Sequence, residues 1–147
     1  MRPRATRLSP QTWPWVGQQR VLIEHPDEWG GLTLASVLRH DGYAVAVCPG
    51  PEQSERCPLA GPEGCAAAHG ADVVVSSLGL GRPEAREVLL ALRTRRPETP
   101  LIVEVNPGEE VEWEGLLEGC DVLVSPVAPE QLLAAVRGAL TESRREA

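Results

Sequence analysis

The chain reads as one α/β domain, a doubly wound parallel sheet of five strands held between two layers of helices. Three observations predict this. Five short apolar runs, at residues 20–24, 43–48, 71–77, 100–105 and 120–125, alternate with stretches of helical character. Strands that alternate with helices form right-handed crossovers, and these lay helices on both faces of a parallel sheet. The third run, ADVVVSS, is continuously apolar, as a strand buried on both faces has to be. The 147 residues also include no Phe and a single Tyr, so Val, Leu, Ile and Ala must make up the core. A chain of this length forms about one domain and buries roughly two-thirds of its unfolded surface.

Each element follows in order. Residues 1–18 have neither helical nor strand period and carry three prolines, which predicts a mobile arm pinned to the surface by Trp13 and Trp15. RVLIE at 20–24 is the first strand. Residues 29–40 form a helix, with Leu32, Leu34, Ala35 and Leu38 near helical spacing. Asp41-Gly42 ends it, since Gly readily takes the left-handed conformation at a helix C-terminus. YAVAVC at 43–48 is the second strand. Residues 49–64 are dense in Pro and Gly and read as a loop, with a short helix over 62–69. The third strand is 71–77.

Pro83 then opens a helix to residue 96, with Val88, Leu89 and Leu92 inward and Glu84, Arg86, Arg93 and Arg96 outward. Strand four is 100–105, a weak helix covers 110–117, and strand five is 120–125. Pro129 stands at the first position of a last helix that runs to residue 140, where Pro is well tolerated. The organisation is thus an arm at 1–18, a folded domain at 19–141 containing a Cys/Pro/Gly-rich loop at 48–65, and a charged tail at 142–147. In such a sheet a site is expected at the carboxyl ends of the strands.

Charge excludes several function classes. The net charge is −7, and all fourteen basic residues are arginines, scattered rather than clustered beyond Arg2, Arg4 and Arg7. A nucleic-acid partner is therefore not expected. No apolar run approaches the length of a membrane span. The N-terminus lacks the apolar segment of a signal peptide, which predicts a cytoplasmic protein. In that compartment its four cysteines are thiols or metal ligands rather than structural disulfides. Abundant Ala, Gly, Pro and Arg, with no Lys or Phe, reflects GC-rich coding and a bacterial source.

The segments LASVLRHDGYAV, PEAREVLLALRTRRPETPLIV and CDVLVSPVAPEQLLAAVRGAL resemble those of response-regulator receiver (CheY-like) domains in order, spacing and flanking residues. The likeness covers residues 19–140. It implies a flavodoxin-like three-layer fold, strand order 2-1-3-4-5, and a site where the first, third, fourth and fifth strands end. In that family the site holds an acidic pair, a phosphate-accepting Asp, a Thr or Ser, and a Lys.

By position this chain has His25 and Pro26 at the acidic pair, with Asp27 beside them. Ser77 stands at the acceptor, Val105 at the Thr/Ser position, and Ser125 at the Lys. The aromatic that reports phosphorylation falls at Val122.

Phosphoryl acceptance needs a nucleophilic carboxylate, acids that hold Mg²⁺, and a cation that offsets phosphoryl charge. A serine without a base is a weak nucleophile, and Val105 and Ser125 carry no charge. Asp41, Asp72 and Asp121 all precede strands and so lie at the opposite edge of the sheet. Only Asp27 lies at the right edge, because the side chain of Glu24 is expected to point into a helix layer. One carboxylate makes a poor Mg²⁺ site. The site reads as degenerate, and the chain as no enzyme.

Cys48, Cys57 and Cys65 cluster within eighteen residues, spaced eight and seven apart. This matches no compact zinc or iron–sulfur signature. Three thiolates are nonetheless a partial ligand set for zinc or an iron–sulfur cluster, with His25 or His69 as the fourth donor. The alternatives are plain buried thiols or a redox pair, Cys57–Cys65. Cys120 begins the fifth strand at the wrong end of the sheet and reads as a core thiol. Trp29 and Trp113 are candidates for an interaction patch, although a Trp so placed more often covers a core edge. The functional expectation is a stand-alone receiver-like regulatory module that acts through a protein partner, bound over residues 110–140. The competing expectation is a metal- or thiol-redox sensor using the cysteine loop.

Overall fold

The structure, a computed structural model, describes Trp13, residues 17–52 and residues 55–146. Five strands, β1 (Arg20–Glu24), β2 (Ala44–Cys48), β3 (Val73–Ser76), β4 (Leu101–Val105) and β5 (Asp121–Val124), form one sheet. All neighbours pair in parallel and the order is β2-β1-β3-β4-β5. The helices are α1 (Glu28–His40), α2 (Ala66–Gly70), α3 (Pro83–Arg95), α4 (Glu109–Glu112), α5 (Glu114–Leu117) and α6 (Pro129–Glu146). This is the expected doubly wound α/β/α fold.

Side chains alternate across each strand, and the alternation divides the core in two. Val21, Ile23, Val45, Val73, Val75 and Ile102 pack against α1 and α6. Leu22, Ala44, Ala46, Val74, Val103 and Val105 pack against α2, α3 and α5. Small Ala residues on β2 and α2 let these layers approach closely, which offsets the lack of Phe. The parity matters for function, because it decides which layer each strand-terminal residue enters.

The local sequence explains where several elements begin. Asp27 is the N-cap of α1, its carboxylate accepting the Gly30 N–H at 2.8 Å, which satisfies a donor that the first helical turn leaves open. At the opposite edge of the sheet, Asp72 accepts the Arg20 N–H at 2.7 Å, and Asp41 takes both its oxygens to Arg137 of α6 at 2.8 Å.

Five expectations need correction. The segment 62–69 is not one helix: a 3₁₀ turn, Pro58–Ala60, buries Leu59 against α3, and α2 is only Ala66–Gly70. Pro62 and Gly64 hold the chain off helix until Cys65. The helix expected at 110–117 breaks at Trp113 into the single turns α4 and α5. Trp113 is held under the Arg86 guanidinium, 4.5 Å from the ring centre.

The last helix continues through the charged tail to Glu146 rather than ending at 140. Leu32 is exposed, whereas Ala35 and Leu38 are buried. Trp29 is 78 % exposed at the start of α1, while Trp113 packs on the α2–α3 side, so the two form no common patch. Of the predicted arm, Trp13 is buried and its indole N–H donates to the Ala67 carbonyl at 3.3 Å. Residues 1–12 and 14–16, Trp15 among them, lie outside the described residues.

Candidate functional site

The residues expected to form a strand-end site are scattered. Asp27 is committed to capping α1. His25 lies over the first turn of α1: its Nδ1 accepts the Asp27 N–H at 3.0 Å. Its ring occupies the space that a Cβ on Gly30 would need, at 2.3 Å from Cε1. Pro26 is exposed. Val105 is buried in the α2–α3 core. Ser125 donates its N–H to the Val105 carbonyl at 2.8 Å. Ser77 is buried, donates its N–H to the Glu24 carbonyl at 2.8 Å, and keeps an Oγ with no partner among the described residues. Val122 is half-buried against the same core.

A second arrangement lies one layer inward, where Glu24 is the central residue. It continues the alternation of Leu22 and therefore turns into the α2–α3 layer, where it is only 5 % exposed. In the sheet register Glu24 stands directly between Cys48 of β2 and Ser76 of β3. Adjacent strands lie about 4.8 Å apart, so these three side chains form a row on one face.

The Ser76 hydroxyl bonds the Glu24 carboxyl, but Oε1 is buried without a partner among the described residues. Burial raises the Glu24 pKa to about 7, with the Ser76 bond opposing only in part. A carboxyl left this way is costly and marks a functional candidate.

The cysteine loop borders the row. Cys48, Cys57 and Cys65 are half-buried free thiols packed against one apolar cluster. Burial pushes Cys48 up to about 12, and the neighbouring Glu24 charge adds to it, followed more weakly by Cys65 and Cys57. The Gly50 N–H donates to the Cys48 Sγ at 3.4 Å and works the other way. Cys57 is raised by burial, then by Glu24 and Cys65 against opposing backbone hydrogen bonds. Glu24, Cys48 and Cys57 thus lie close enough for desolvation and charge to act on both thiols. They stop short of a ready-made metal centre: among the described residues, no three His, Cys, Asp or Glu side chains are gathered to hold an ion.

The loop after β3 fastens the cysteine loop in place. Leu78 is buried against Gly50, where a Cβ would come within 2.6 Å of Leu78 Cδ2 and where φ is +76°, a backbone angle that glycine takes without strain. Arg82 adds a bond to the Pro51 carbonyl at 3.0 Å.

Of the two candidate histidines His69 lies near a thiol, its backbone N–H donating to the Cys65 carbonyl at 3.0 Å. His25 rests on the α1 side of the sheet. His69 is exposed beside Gly64, Glu63 and Arg20, at the amino edge where β1 begins. Cys120 is half-buried just before β5 and packs against the core. A groove of about 660 Å³ runs along α3 beside Glu55 and Arg56 and is lined by none of the cysteines or Glu24. Sequence reasoning foresaw that Glu24 points into a helix layer but gave it no role. The signal was its place two residues after Leu22 at the end of a buried strand.

No family model matches the chain, and no curated protein matches it by sequence. Solved structures do. A response-regulator receiver domain protein from Clostridium thermocellum superposes with a TM-score of 0.70 at 16% identity, covering 88% of this chain and 99% of that one. A CheY-like receiver domain protein from Methanospirillum hungatei JF-1 gives 0.66 at 23%, covering 89% and 100%. A receiver protein from Sinorhizobium medicae WSM419 gives 0.66 at 18%, covering 86% and 98%. The chain is similar to these in fold.

The Glu24 carboxyl predicts a pH dependence of stability. Its value is about 7 folded against 4.5 when exposed, so the folded state holds the extra proton between those limits. Stability from this group is complete below 4.5 and is lost as pH rises through about 7, by on the order of 3 kcal/mol in total. In urea unfolding of the metal-free protein across this range, Glu24→Gln should lack that part of the slope. Parallel curves for the two proteins would contradict the assignment.

Proposed function

We propose that this chain is a receiver-like regulatory module that works through protein–protein contact and is not switched by aspartyl phosphorylation. The observation that carries the reading is the fate of the carboxylates at the strand ends: Asp27 caps α1 and Glu24 is buried. With Ser77 at the acceptor position, Val105 and Ser125 beside it, and no lysine in the chain, there is neither a nucleophile with a base nor a cation to offset a phosphoryl group. The fold of the structural neighbours supports a place in signalling, in a regulatory rather than a catalytic part. We take the source as bacterial and the location as the cytoplasm. Among the described residues no helix is long and apolar enough to cross a membrane.

The partner surface in this reading is the face over residues 110–140. Val111 in α4 is 74 % exposed, and Val124 at the end of β5 is exposed as well. Glu112, Glu114 and Asp121 on the same segments are exposed too. Exposed apolar residues on acidic segments suit a protein partner and disfavour nucleic acid. Incubation with Mg²⁺ and acetyl phosphate should leave the intact mass unchanged in mass spectrometry. A phosphoryl adduct on Ser77 or Asp27 would overturn the reading.

A second reading is favoured by the grouping of Cys48, Cys57 and Cys65 around buried Glu24: the cysteine loop binds zinc or an iron–sulfur cluster and senses its supply. Protein purified without oxygen is then expected to carry stoichiometric zinc or iron, and the triple Cys→Ser variant none. Equal, trace metal in both samples rules it out. Thiol redox change between Cys57 and Cys65 is the remaining form of this reading, with a mass lower by two hydrogens after mild oxidation as its sign.

A further inference from the structure

The charges of α3 fall on two sides of the helix and are used differently. Arg86 and Arg93 are spent within the chain. Arg86 lies over the Trp113 ring and donates to the Leu80 carbonyl at 2.8 Å, and Arg93 donates to the Leu116 carbonyl. The next side round lines the groove beside the cysteine loop and carries Glu84, Glu87, Leu90, Ala91, Thr94 and Arg95. That is the three-and-four spacing of one helical face.

The face is polarised along its length. Glu84 is in the first turn and Arg95 in the last, and Leu90 lies between them, 52 % exposed. Glu84 pairs with Arg82 at 4.0 Å. Neither Glu87 nor Arg95 makes an ion pair among the described residues. They are too far apart on one helix to meet, because helix side chains pair three or four positions apart. The helix dipole accounts for acids near the start and bases near the end, but not for a leucine held in water between them.

We propose that this face is a self-association surface, on which two copies of the chain lay α3 against α3 in antiparallel directions. Reversing one helix sets each Glu87 against the partner's Arg95, and both pairs form together about a two-fold axis. Leu90 lies at the crossing point, and Ala91 beside it leaves room for the second helix to approach. A parallel copy would set like charges together, so the charge order selects the antiparallel one. The groove is lined by none of residues 110–140, which leaves that face open to a different protein. One face of a 13-residue helix is less than a permanent dimer buries, so the association is weak and reversible.

The test is sedimentation of the full, reduced chain from micromolar to near-millimolar concentration. Wild type should show a reversible monomer–dimer equilibrium. Glu87→Arg and Arg95→Glu should each weaken it at least about tenfold, since each replaces two attractive contacts by two repulsive ones. Mixed in equal amounts, these two variants should dimerise with each other, and the double variant should dimerise with itself. Leu90→Asp should leave only monomer. All three positions are exposed, and circular dichroism checks that each variant is folded.

A wild-type chain that stays monomeric throughout overturns the proposal, even if a foreign helical peptide fills the groove. So does a dimer that none of the three single changes weakens, because its interface lies elsewhere. Loss in the charge variants without rescue on mixing overturns the antiparallel pairing of Glu87 with Arg95.

Discussion

The carboxyl of Glu24, turned into the apolar layer between the sheet and α2–α3, is the constraint around which the carboxyl edge of this protein is organised. Strand alternation puts it there: Leu22 must face that layer for β1 to be buried, and the residue two positions on follows it. Once inside, the carboxyl is raised to about 7 by burial. Its charge raises the neighbouring Cys48 and Cys57, and among the described residues its Oε1 has no hydrogen-bond partner. The loop that carries two of those thiols is held by Leu78 in the space left by Gly50 and by the Arg82 bond to Pro51. A polar group that costs stability is therefore enclosed by contacts that fix its surroundings, a combination more usual at functional sites than in inert cores.

The same parity accounts for what the strand ends lack. A strand-end acid serves phosphoryl chemistry only if it stands above the sheet with others like it. Here Glu24 lies below, Asp27 closes the first turn of α1, and the three remaining aspartates that adjoin strands sit at the opposite edge, two of them bound to Arg20 and Arg137. The fold shared with the solved receiver domains is kept in full, with every strand in its place. The side chains at its strand ends pack or cap: Val105 lies in the core and Asp27 closes α1. Two features stand apart from this packing, the exposed Val111 and Val124 and the buried row of Cys48, Glu24 and Ser76.

Much of this was legible in the sequence. The five apolar runs lie within two residues of the observed strands, because buried parallel strands are continuous in Val, Ile and Leu and depend little on distant contacts. The starts at Pro83 and Pro129 and the stop at Asp41-Gly42 were legible for the same local reason, but the cap made by Asp27 was not. Tertiary effects hid the rest. Residues 110–117 have helical character, but Trp113 is drawn under Arg86 and the helix breaks there. Leu32 has the spacing of a core residue, yet the packing of α1 leaves it in water. Trp13, in a stretch without period, is buried by a contact with α2 that no local pattern announces. The three cysteines were visible as a cluster in sequence. The approach of Glu24 to Cys48 was not, because the two meet only through sheet pairing twenty-four positions apart.

The most direct measurement is a carbon-13 NMR titration of the Glu24 carboxyl in the metal-free protein, assigned by comparison with Glu24→Gln. The buried geometry predicts a midpoint near 7, well above the ordinary 4.5. A midpoint near 4.5 would mean that the carboxyl stands in water rather than buried beside Cys48 and Ser76.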